Sequence, residues 1–360
     1  MPSLRAGQVV GVLTVPGCSI EILPKIGGEE HGAVRRALVH MLAVAWGVPV
    51  ADSEAALLGT QRQDLLEILV RLFADTLYSA VRRGLPHRYR VREETLPLLR
   101  GKLDMRRQLA SHAFRSDQLA CTFDELSVDT PLNRVLKSAV VRLASATRSS
   151  VNSRRLSELS ARFEFVGDSL DPLRERVRLD RTNRAFHRLH NLARLFLAGD
   201  WQSTTTGGSE GIALLFPMND LFEEFVGRSM RVALARRSVL LQHTGHYALT
   251  GQHGDLFALR PDIVVDDDIL IDTKWKELNS RESTVGVDQA DVYQMLAYAR
   301  AYEAQRLVLI YPWHEGLADP GIYRSWRIKG TSTRFVIATV DVGRPDSVQH
   351  VLRSIVVGSS

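Results

Sequence analysis

The chain has 360 residues, of which 45% are hydrophobic and 24% are charged, and its formal net charge is +5. This balance excludes a disordered chain, the length predicts more than one domain, and the basic charge permits nucleic-acid binding. The two cysteines, Cys18 and Cys121, lie in separate segments, which excludes a disulfide framework or a cysteine-rich zinc site and favours a cytoplasmic protein. No apolar run in the sequence predicts a membrane span or a secretory signal.

The first half of the sequence predicts a hairpin followed by helices and a small sheet. Apolar alternation on both sides of Pro16-Gly17 predicts paired strands over residues 9–26. Helical spacing of apolar residues marks several further segments, and Pro131 falls near the start of one of them. The predicted elements are helices over 31–46 and 61–84, short strands and turns around Arg100-Gly101 between 89 and 126, and long helices over 129–164 and 180–198.

Two runs of basic residues lie in this half. Arginine suits phosphates because its planar fork donates to two oxygens in parallel, although a solvated basic helix or an interface to an acidic partner explains either run equally well. Aromatic residues are not interleaved with the arginines, so contact with a duplex backbone is a better functional interpretation than single-strand stacking. The first run is Arg82, Arg83, His87, Arg88, Arg90 and Arg92, and the second is Arg174, Arg176, Arg178, Arg181, Arg184, Arg188 and Arg194.

Residues 203–209 are polar and contain glycine, which predicts a loop. A helix is predicted from Met218, with Asn219 or Asp220 as its N-cap and an apolar stripe along one face. Between this helix and the next strands lie His243, His246 and His253, whose spacing fits no metal motif and favours ordinary loop or strand positions.

The most informative segment is a predicted β-hairpin with acidic residues at its open end. Apolar runs lie on both sides of an acidic turn, and a hairpin symmetric about Asp267 pairs Asp262 with Asp272. Side chains alternate between faces, so Lys274 shares a face with Asp272. Opposed carboxylates repel, and a divalent cation such as Mg²⁺ removes that repulsion. The alternative is a surface hairpin with an acidic turn.

The hairpin is followed by a predicted helix over 288–302 and an apolar strand over 306–312. Gln294 and Tyr298 lie four residues apart and therefore on one face of this helix. The order strand, strand, helix, strand predicts that the helix is a crossover between two parallel strands. The alternative interpretation of Gln294 and Tyr298 is that they belong to an ordinary amphipathic helix with no functional role.

These motifs resemble the PD-(D/E)xK nuclease superfamily, and Gln294 and Tyr298 resemble the QxxxY element of its RecB-like branch. The resemblance implies that Asp262 and Asp272 hold Mg²⁺, with Mn²⁺ as a substitute, and that Lys274 orients water or neutralises charge on the phosphate. It also implies a further acidic ligand on the preceding helix, for which Glu223 is the candidate and Glu224 the alternative. Gln294 and Tyr298 are secondary catalytic candidates that would hold the substrate strand or Lys274.

The order and spacing of motifs along the chain narrow the resemblance to McrC, the nuclease subunit of the McrBC modification-dependent restriction system. This resemblance implies docking on a hexameric ring of an McrB-type AAA+ GTPase, stimulation of nucleotide hydrolysis, and cleavage of double-stranded, methylated DNA. The chain has no GxxxxGK[ST] phosphate loop, which agrees with a nuclease that relies on a separate motor. The matching stretches are residues 10–26, 99–104, 121–137 and 218–226, together with the nuclease motifs.

We therefore predict an α/β (α+β) protein with a mixed hairpin and helical N-terminal domain and a C-terminal PD-(D/E)xK core, whose central mixed sheet is flanked by helices. Glu21 and Lys25 beside the first hairpin are candidates for contact with the ring, or an ordinary solvated ion pair. The alternatives are a non-catalytic assembly subunit and a nuclease of repair or defence without modification dependence. The predicted segments are a partner-docking domain over 1–128, a helical connection over 129–202 and the nuclease domain over 203–360.

Overall fold

The computed structural model describes residues 7–15, 18–26, 31–46, 65–111, 115, 117–198, 212–252 and 254–358. The chain divides into two compact units, one formed by Met1–Ile68 with Trp201–Ser360 and the other by Leu69–Asp200. The first unit contains both ends of the sequence. The functional division at residues 128 and 202 stays a prediction.

The described residues form fourteen strands and nine α-helices, which confirms a mixed α/β protein. The strands are β1 (Val9–Val15), β2 (Cys18–Ile22), β3 (Arg88–Leu96), β4 (Lys102–Leu103), β5 (Leu119–Ser127), β6 (Ile212–Pro217), β7 (Val239–Leu241), β8 (His246–Gly251), β9 (Gly254–Leu259), β10 (Ile263–Val265), β11 (Ile269–Thr273), β12 (Arg306–Pro312), β13 (Gly321–Arg327) and β14 (Arg334–Val340). The helices are α1 (His31–Trp46), α2 (Leu65–Val81), α3 (Met105–Ser111), α4 (Pro131–Ala146), α5 (Ser150–Arg162), α6 (His187–Ala198), α7 (Met218–Ala233), α8 (Gln289–Tyr302) and α9 (Pro345–Val357).

The largest sheet of the first unit has six strands in the order β13-β14-β12-β11-β10-β7. Its central strands β11, β12 and β14 run parallel, while β10, β7 and β13 are antiparallel to their neighbours. Parallel neighbours need a crossover, and α8 connects β11 to β12. The predicted order strand, strand, helix, strand is thus confirmed. Residues Leu307 to Pro312 of β12 are buried, as a strand covered on both faces requires.

A second sheet of the first unit joins β1 to β2 and to β6 in antiparallel pairs. This confirms the predicted N-terminal hairpin, whose turn residues Pro16 and Gly17 lie outside the described residues. Gly11 has φ +141°, and a Cβ there would lie 1.9 Å from the Leu214 carbonyl oxygen, so the close approach of β6 requires glycine. The predicted loop over 203–209 also lies outside the described residues.

Helix α7 supplies much of the apolar packing of this unit. Phe225 meets the His40 ring of α1 edge-on at a centroid distance of 5.8 Å, and Arg353 of α9 donates to the Ala233 carbonyl at the other end of α7. The predicted N-cap at Asn219 or Asp220 is wrong, because the helix already begins at Met218, after Pro217, without a side-chain cap. The Asn219 side chain instead accepts a hydrogen bond from the Trp275 N–H and so ties α7 to the segment after β11.

The second unit combines a three-stranded antiparallel sheet, in the order β3-β5-β4, with helices. The predicted turn around Gly101 is confirmed by its φ of +70°, and a Cβ there would lie 2.5 Å from the Thr122 carbonyl oxygen. The prediction of one helix over 129–164 is wrong, because α4 ends at Ala146 and Ser149 caps the separate helix α5. Likewise, residues 180–198 begin with a 3-10 helix, Arg181–Phe186, before α6. None of the described helices is long and apolar enough to cross a membrane.

Residues Asp129 to Arg134, which belong to the matching stretch 121–137, form the beginning of α4 and its cap. Thr130 accepts from the Asn133 N–H, and Pro131 occupies the first turn, where its missing N–H costs nothing. Asn133 is fully buried and donates to the carbonyls of Pro86 and Val128. The carboxylate of Asp129 accepts from Arg134, Arg90 and the Gly167 N–H. These residues therefore have a structural role in joining β3, β5 and α4.

Candidate active site

The register of the β10–β11 hairpin places the two predicted acidic residues opposite each other. Ile263 pairs with Ile271 and Val265 with Ile269, so that the next pair outward is Asp262 with Asp272. The predicted symmetry about Asp267 is confirmed. The turn is possible because Asp266 and Asp267 adopt positive φ values of 48° and 64°, a region that Asp tolerates better than most residues. The hairpin thus carries both carboxylates to the end of the sheet at which β11 leaves it.

Both carboxylates are withdrawn from solvent. Asp272 is 3% exposed, and Asp262 is partly buried, with its Oδ2 accepting from the Thr273 N–H at 2.7 Å and from the Thr273 hydroxyl at 2.9 Å. Burial and then repulsion by Asp272 and Glu223 raise the pKa of Asp262 to about 7, against the two hydrogen bonds from Thr273. Burial likewise raises the pKa of Asp272, although Lys274 opposes this. The pair therefore carries repulsion that a bound cation would relieve.

Lys274 lies beside this pair, as the alternation of the strand predicts. Its ammonium Nζ is 2.9 Å from Asp272 Oδ2 and 3.3 Å from Asp291 Oδ1 of α8. The Lys274 N–H donates to the Ile310 carbonyl of β12, which fixes the backbone of this residue to the sheet. Burial acts to lower the pKa of Lys274, but the carboxylates of Asp272 and Asp291 raise it above its ordinary value. Lys274 is therefore a charged hydrogen-bond donor at neutral pH and unsuited to act as a general base.

The two glutamates on α7 differ in their surroundings, and Glu223 is the one that interacts electrostatically with Asp272. Burial, and then the neighbouring carboxylates including Asp272, raise the pKa of Glu223, whereas Gln242 lowers it by donating to its Oε1 at 2.6 Å. Glu224 instead pairs with Arg228 one helical turn later. Gln242 has φ 50°, and its amide oxygen accepts from Arg260, so that it connects Glu223 to the residue two before Asp262. Sequence reasoning missed Gln242, because it belongs to no motif.

Helix α8 faces the site through the predicted residue pair. The Gln294 amide donates to the Tyr298 hydroxyl at 2.6 Å, and that hydroxyl donates to the Arg260 carbonyl at 3.0 Å. Tyr298 is 4% exposed, and burial raises the pKa of its hydroxyl. The pair therefore supports the backbone that precedes Asp262. Contact of Gln294 or Tyr298 with substrate stays a prediction.

The donor set fits a hard divalent cation. Asp262 and Asp272 offer carboxylate oxygens at one place. Burial is the main reason that the pKa of each is raised, and a bound cation would favour the charged forms. Within the part of the chain that the structure describes, no set of three or more His, Cys, Asp or Glu side chains forms a metal-binding group. Mg²⁺ is compatible with this arrangement because it keeps several waters and takes further oxygens from a substrate phosphate.

The other predicted features fall outside this centre. His243 and His246 pack against Tyr302 with centroid distances of 6.0 and 3.9 Å, which agrees with ordinary packing roles, and His253 lies outside the described residues. Glu21 accepts from Arg35 and from the Leu65 N–H, both at 2.8 Å, so this carboxylate serves the packing of its own unit. Contact of Lys25 with a partner stays a prediction.

Ion pairs engage much of the first basic run. Arg88 pairs with Asp180, Arg90 with Asp129, and Arg92 with Glu125. In the second run, Arg174 pairs with Asp171, and Arg194 donates to the Leu173 carbonyl. These arginines therefore stabilise their own unit, which favours the structural interpretation for part of each run. The exposed arginines of the second run are Arg174, Arg176, Arg178, Arg181, Arg184 and Arg188.

Comparisons with known proteins show what the chain is similar to. The model of the family described as McrBC 5-methylcytosine restriction system component matches residues 4–312. The type IV methyl-directed restriction enzyme EcoKMcrBC of Escherichia coli K12 is 29% identical over 108 residues, which are 30% of this chain and 31% of that protein. The chain thus aligns with about a third of the length of that curated relative.

Two solved structures from Thermococcus gammatolerans are similar. One is a half-complex from the tetradecameric assembly of McrB AAA+ hexamers with bound McrC, matched with a TM-score of 0.64 and 24% identity over 98% of this chain and 82% of that chain. The other is the McrBC complex, matched with a TM-score of 0.50 and 29% identity over 64% of this chain and 68% of that chain. The first match supports the fold along nearly the whole chain.

Proposed function

Because the chain belongs to the family of McrBC 5-methylcytosine restriction system components, we propose that it is the DNA endonuclease subunit of a modification-dependent restriction complex. The observation that carries this proposal is the pair of opposed carboxylates, the partly buried Asp262 and the buried Asp272, with the Lys274 ammonium beside them. A domain that only binds DNA gains nothing from this costly arrangement, because buried like charges repel.

In this proposal Asp262 and Asp272 hold Mg²⁺, for which Mn²⁺ is a substitute. When held there, the ion would supply Lewis-acid stabilisation of the scissile phosphate and would lower the pKa of a water that attacks it. Thr273 fixes one oxygen of Asp262 through two hydrogen bonds and so orients the carboxylate before substrate arrives. Glu223, which accepts a hydrogen bond from Gln242, is the candidate for a further ligand of the ion.

Lys274 acts in this scheme as an electrostatic group. It remains protonated because Asp272 and Asp291 surround its ammonium, and it would donate hydrogen bonds to the phosphate as negative charge grows on it. Gln294 and Tyr298 support the backbone before Asp262, so their effect on cleavage would arise through that carboxylate.

We further propose that the chain works in the cytoplasm on methylated double-stranded DNA with a hexameric AAA+ GTPase partner. Support for the substrate comes from the Escherichia coli relative, which is a methyl-directed enzyme, and support for the partner comes from the Thermococcus gammatolerans complexes of McrB AAA+ hexamers with McrC. The chain lacks a phosphate loop of its own, so a separate protein would supply nucleotide hydrolysis.

The experiment that tests this proposal reconstitutes the chain with an McrB-type AAA+ GTPase and measures Mg²⁺-dependent cleavage of methylated plasmid with GTP. Asp272→Asn removes one charge from the pair, and Asp267→Asn makes the same change at the exposed turn of the same hairpin. We expect Asp272→Asn to abolish cleavage while GTPase stimulation persists, and Asp267→Asn to preserve both activities.

Other outcomes would point to the alternative functions. If wild type and Asp272→Asn stimulate GTP hydrolysis equally and neither cuts methylated or plain DNA, the chain is an assembly subunit. Equal cleavage of methylated and unmethylated plasmid would instead indicate a nuclease without modification dependence.

A further inference from the structure

Besides Glu223, a further carboxylate from outside the hairpin, Asp291, reaches the site. It lies in the first turn of α8, three residues before Gln294 and seven before Tyr298, so all three project from one face of the helix. Its side chain is 17% exposed, and its Oδ1 lies 3.3 Å from the Lys274 ammonium. The face of α8 toward the site therefore contacts two parts of it, namely Lys274 and the backbone before Asp262.

The Lys274 ammonium lies between two carboxylates that differ in their other contacts. Asp272 belongs to the opposed pair that would hold the cation, and its Oδ2 is 2.9 Å from Lys274 Nζ. Asp291 has Lys274 as its only ion-pair partner among the described residues. In the proposed reaction Asp272 therefore interacts with both the metal ion and the Lys274 ammonium, whereas Asp291 interacts with the ammonium alone.

This difference matters once the cation is bound. A cation on Asp272 competes with the ammonium for the negative charge of that carboxylate and also repels the ammonium directly. A lysine with four rotatable bonds would then move toward solvent, to which its side chain is already 29% exposed. A second carboxylate, on helix α8, opposes that movement, because it attracts the ammonium and does not belong to the pair that would hold the cation.

We propose that Asp291 is a positioning residue that keeps the Lys274 ammonium at the scissile phosphate when Asp272 is occupied by metal. This inference rests on the proposed nuclease function and adds to it a residue that neither the hairpin motif nor the QxxxY element contains. Asp291 touches neither substrate nor metal in this scheme and acts only through Lys274.

Asp291→Asn tests the role, because it keeps the shape of the side chain and removes its charge. Asp288→Asn is the matched control, since Asp288 precedes the same helix and pairs with Lys276 at 2.8 Å in an exposed ion pair. In the reconstituted complex we expect Asp291→Asn to lower the cleavage rate roughly 10- to 100-fold, as is usual for residues that orient a catalytic group. The half-saturating Mg²⁺ concentration should stay unchanged, and Asp288→Asn should cleave like wild type.

A second readout needs neither metal nor cleavage. Brief acylation of the metal-free chain with acetic anhydride, followed by peptide mass spectrometry, reports how accessible each lysine amine is. We expect Asp291→Asn to increase acylation of Lys274 severalfold and to leave Lys276 unchanged, whereas Asp288→Asn should affect only Lys276.

Two further variants test the role in the cleavage assay. Asp291→Glu should restore part of the cleavage rate, and adding Asp291→Asn to Lys274→Ala should cause no further loss of cleavage.

The outcomes separate this inference from the function on which it rests. A wild-type complex that does not cut DNA refutes the proposed function, while the acylation result still decides whether Asp291 holds Lys274. Cleavage by Asp291→Asn at the wild-type rate overturns the inference. A raised Mg²⁺ requirement in Asp291→Asn also overturns it, because that result would make Asp291 a metal ligand.

Discussion

Replacing Asp262 by Asn should stabilise the metal-free protein at alkaline pH while removing its activity. Burial and the neighbouring carboxylates raise the pKa of Asp262 from 3.8 to about 7. A carboxyl group with a raised pKa favours folding fully below about pH 4 and loses that contribution as the pH rises through about 7. Above pH 7 the ionised Asp262 therefore opposes folding, and Asn removes this opposition. The Asn carbonyl oxygen can still accept both hydrogen bonds from Thr273.

The expected size follows from the pKa of Asp262. The pKa rises by about 3, and each unit corresponds to about 1.36 kcal/mol. Ionisation of Asp262 therefore lowers the free energy of unfolding by at most about 4 kcal/mol at pH 8 and about 2 kcal/mol at pH 5. The gain in the free energy of unfolding of Asp262→Asn over wild type should therefore be about 2–3 kcal/mol larger at pH 8 than at pH 5. The direction and the increase with pH are the decisive features.

Urea unfolding followed by tryptophan fluorescence, in EDTA at the two pH values, measures this gain. Asp266→Asn is the matched control on the same hairpin, because a hydrogen bond from Arg237 lowers the pKa of Asp266 and its removal should bring no stabilisation. Adding Mg²⁺ should stabilise wild type at pH 8, by about 1.4 kcal/mol for each tenfold increase above the dissociation constant, and should have little effect on Asp262→Asn. An Asp262→Asn protein that is no more stable than wild type at pH 8, or whose gain is equal at both pH values, would show that ionised Asp262 does not oppose folding.

Three further predictions concern positions that support the fold or the site. Tyr298→Phe removes the hydroxyl that donates to Arg260, so we expect a loss of about 1 kcal/mol in urea unfolding and a slower cleavage rate, and unchanged values would contradict the support role. Gly101→Ala should cost about 1–3 kcal/mol in the same assay and more than Gly84→Ala, because both have positive φ but only at Gly101 would a Cβ meet backbone. Hydrogen bonds from Arg134 lower the pKa of Asp129, so its contribution is present above about pH 4 and is lost as the pH falls through its lower folded pKa. The free energy of unfolding of Asp129→Asn should therefore be about 1.5–3 kcal/mol below that of wild type at pH 7, and the difference should shrink in acid. A difference in stability that does not change with pH would argue against the ion pair.

Local periodicity was enough to predict the elements that form the centre. The pairing of Asp262 with Asp272 follows from the symmetry of the apolar runs about Asp267, and the structure has that register. Strand β12 has the predicted bounds, and α8 begins one residue after the predicted start. Errors occurred where a side-chain cap or turn decides the boundary, as at Ser149 between α4 and α5. A helix end depends on a few hydrogen bonds rather than on a repeating pattern.

The carboxylate pair, the lysine beside it and the shared face of Gln294 and Tyr298 all follow from local sequence patterns. These relations depend on alternation within a strand or on helical spacing, both of which are fixed by chain geometry over a few residues. Long-range packing, in contrast, is what brings Asp291 against Lys274 and lets Gln242 join Glu223 to Arg260. It also decided that Arg88 and Arg90 are engaged in ion pairs with residues far along the chain. Such contacts depend on which elements the sheet and its crossover helix bring together, and no local period records that choice.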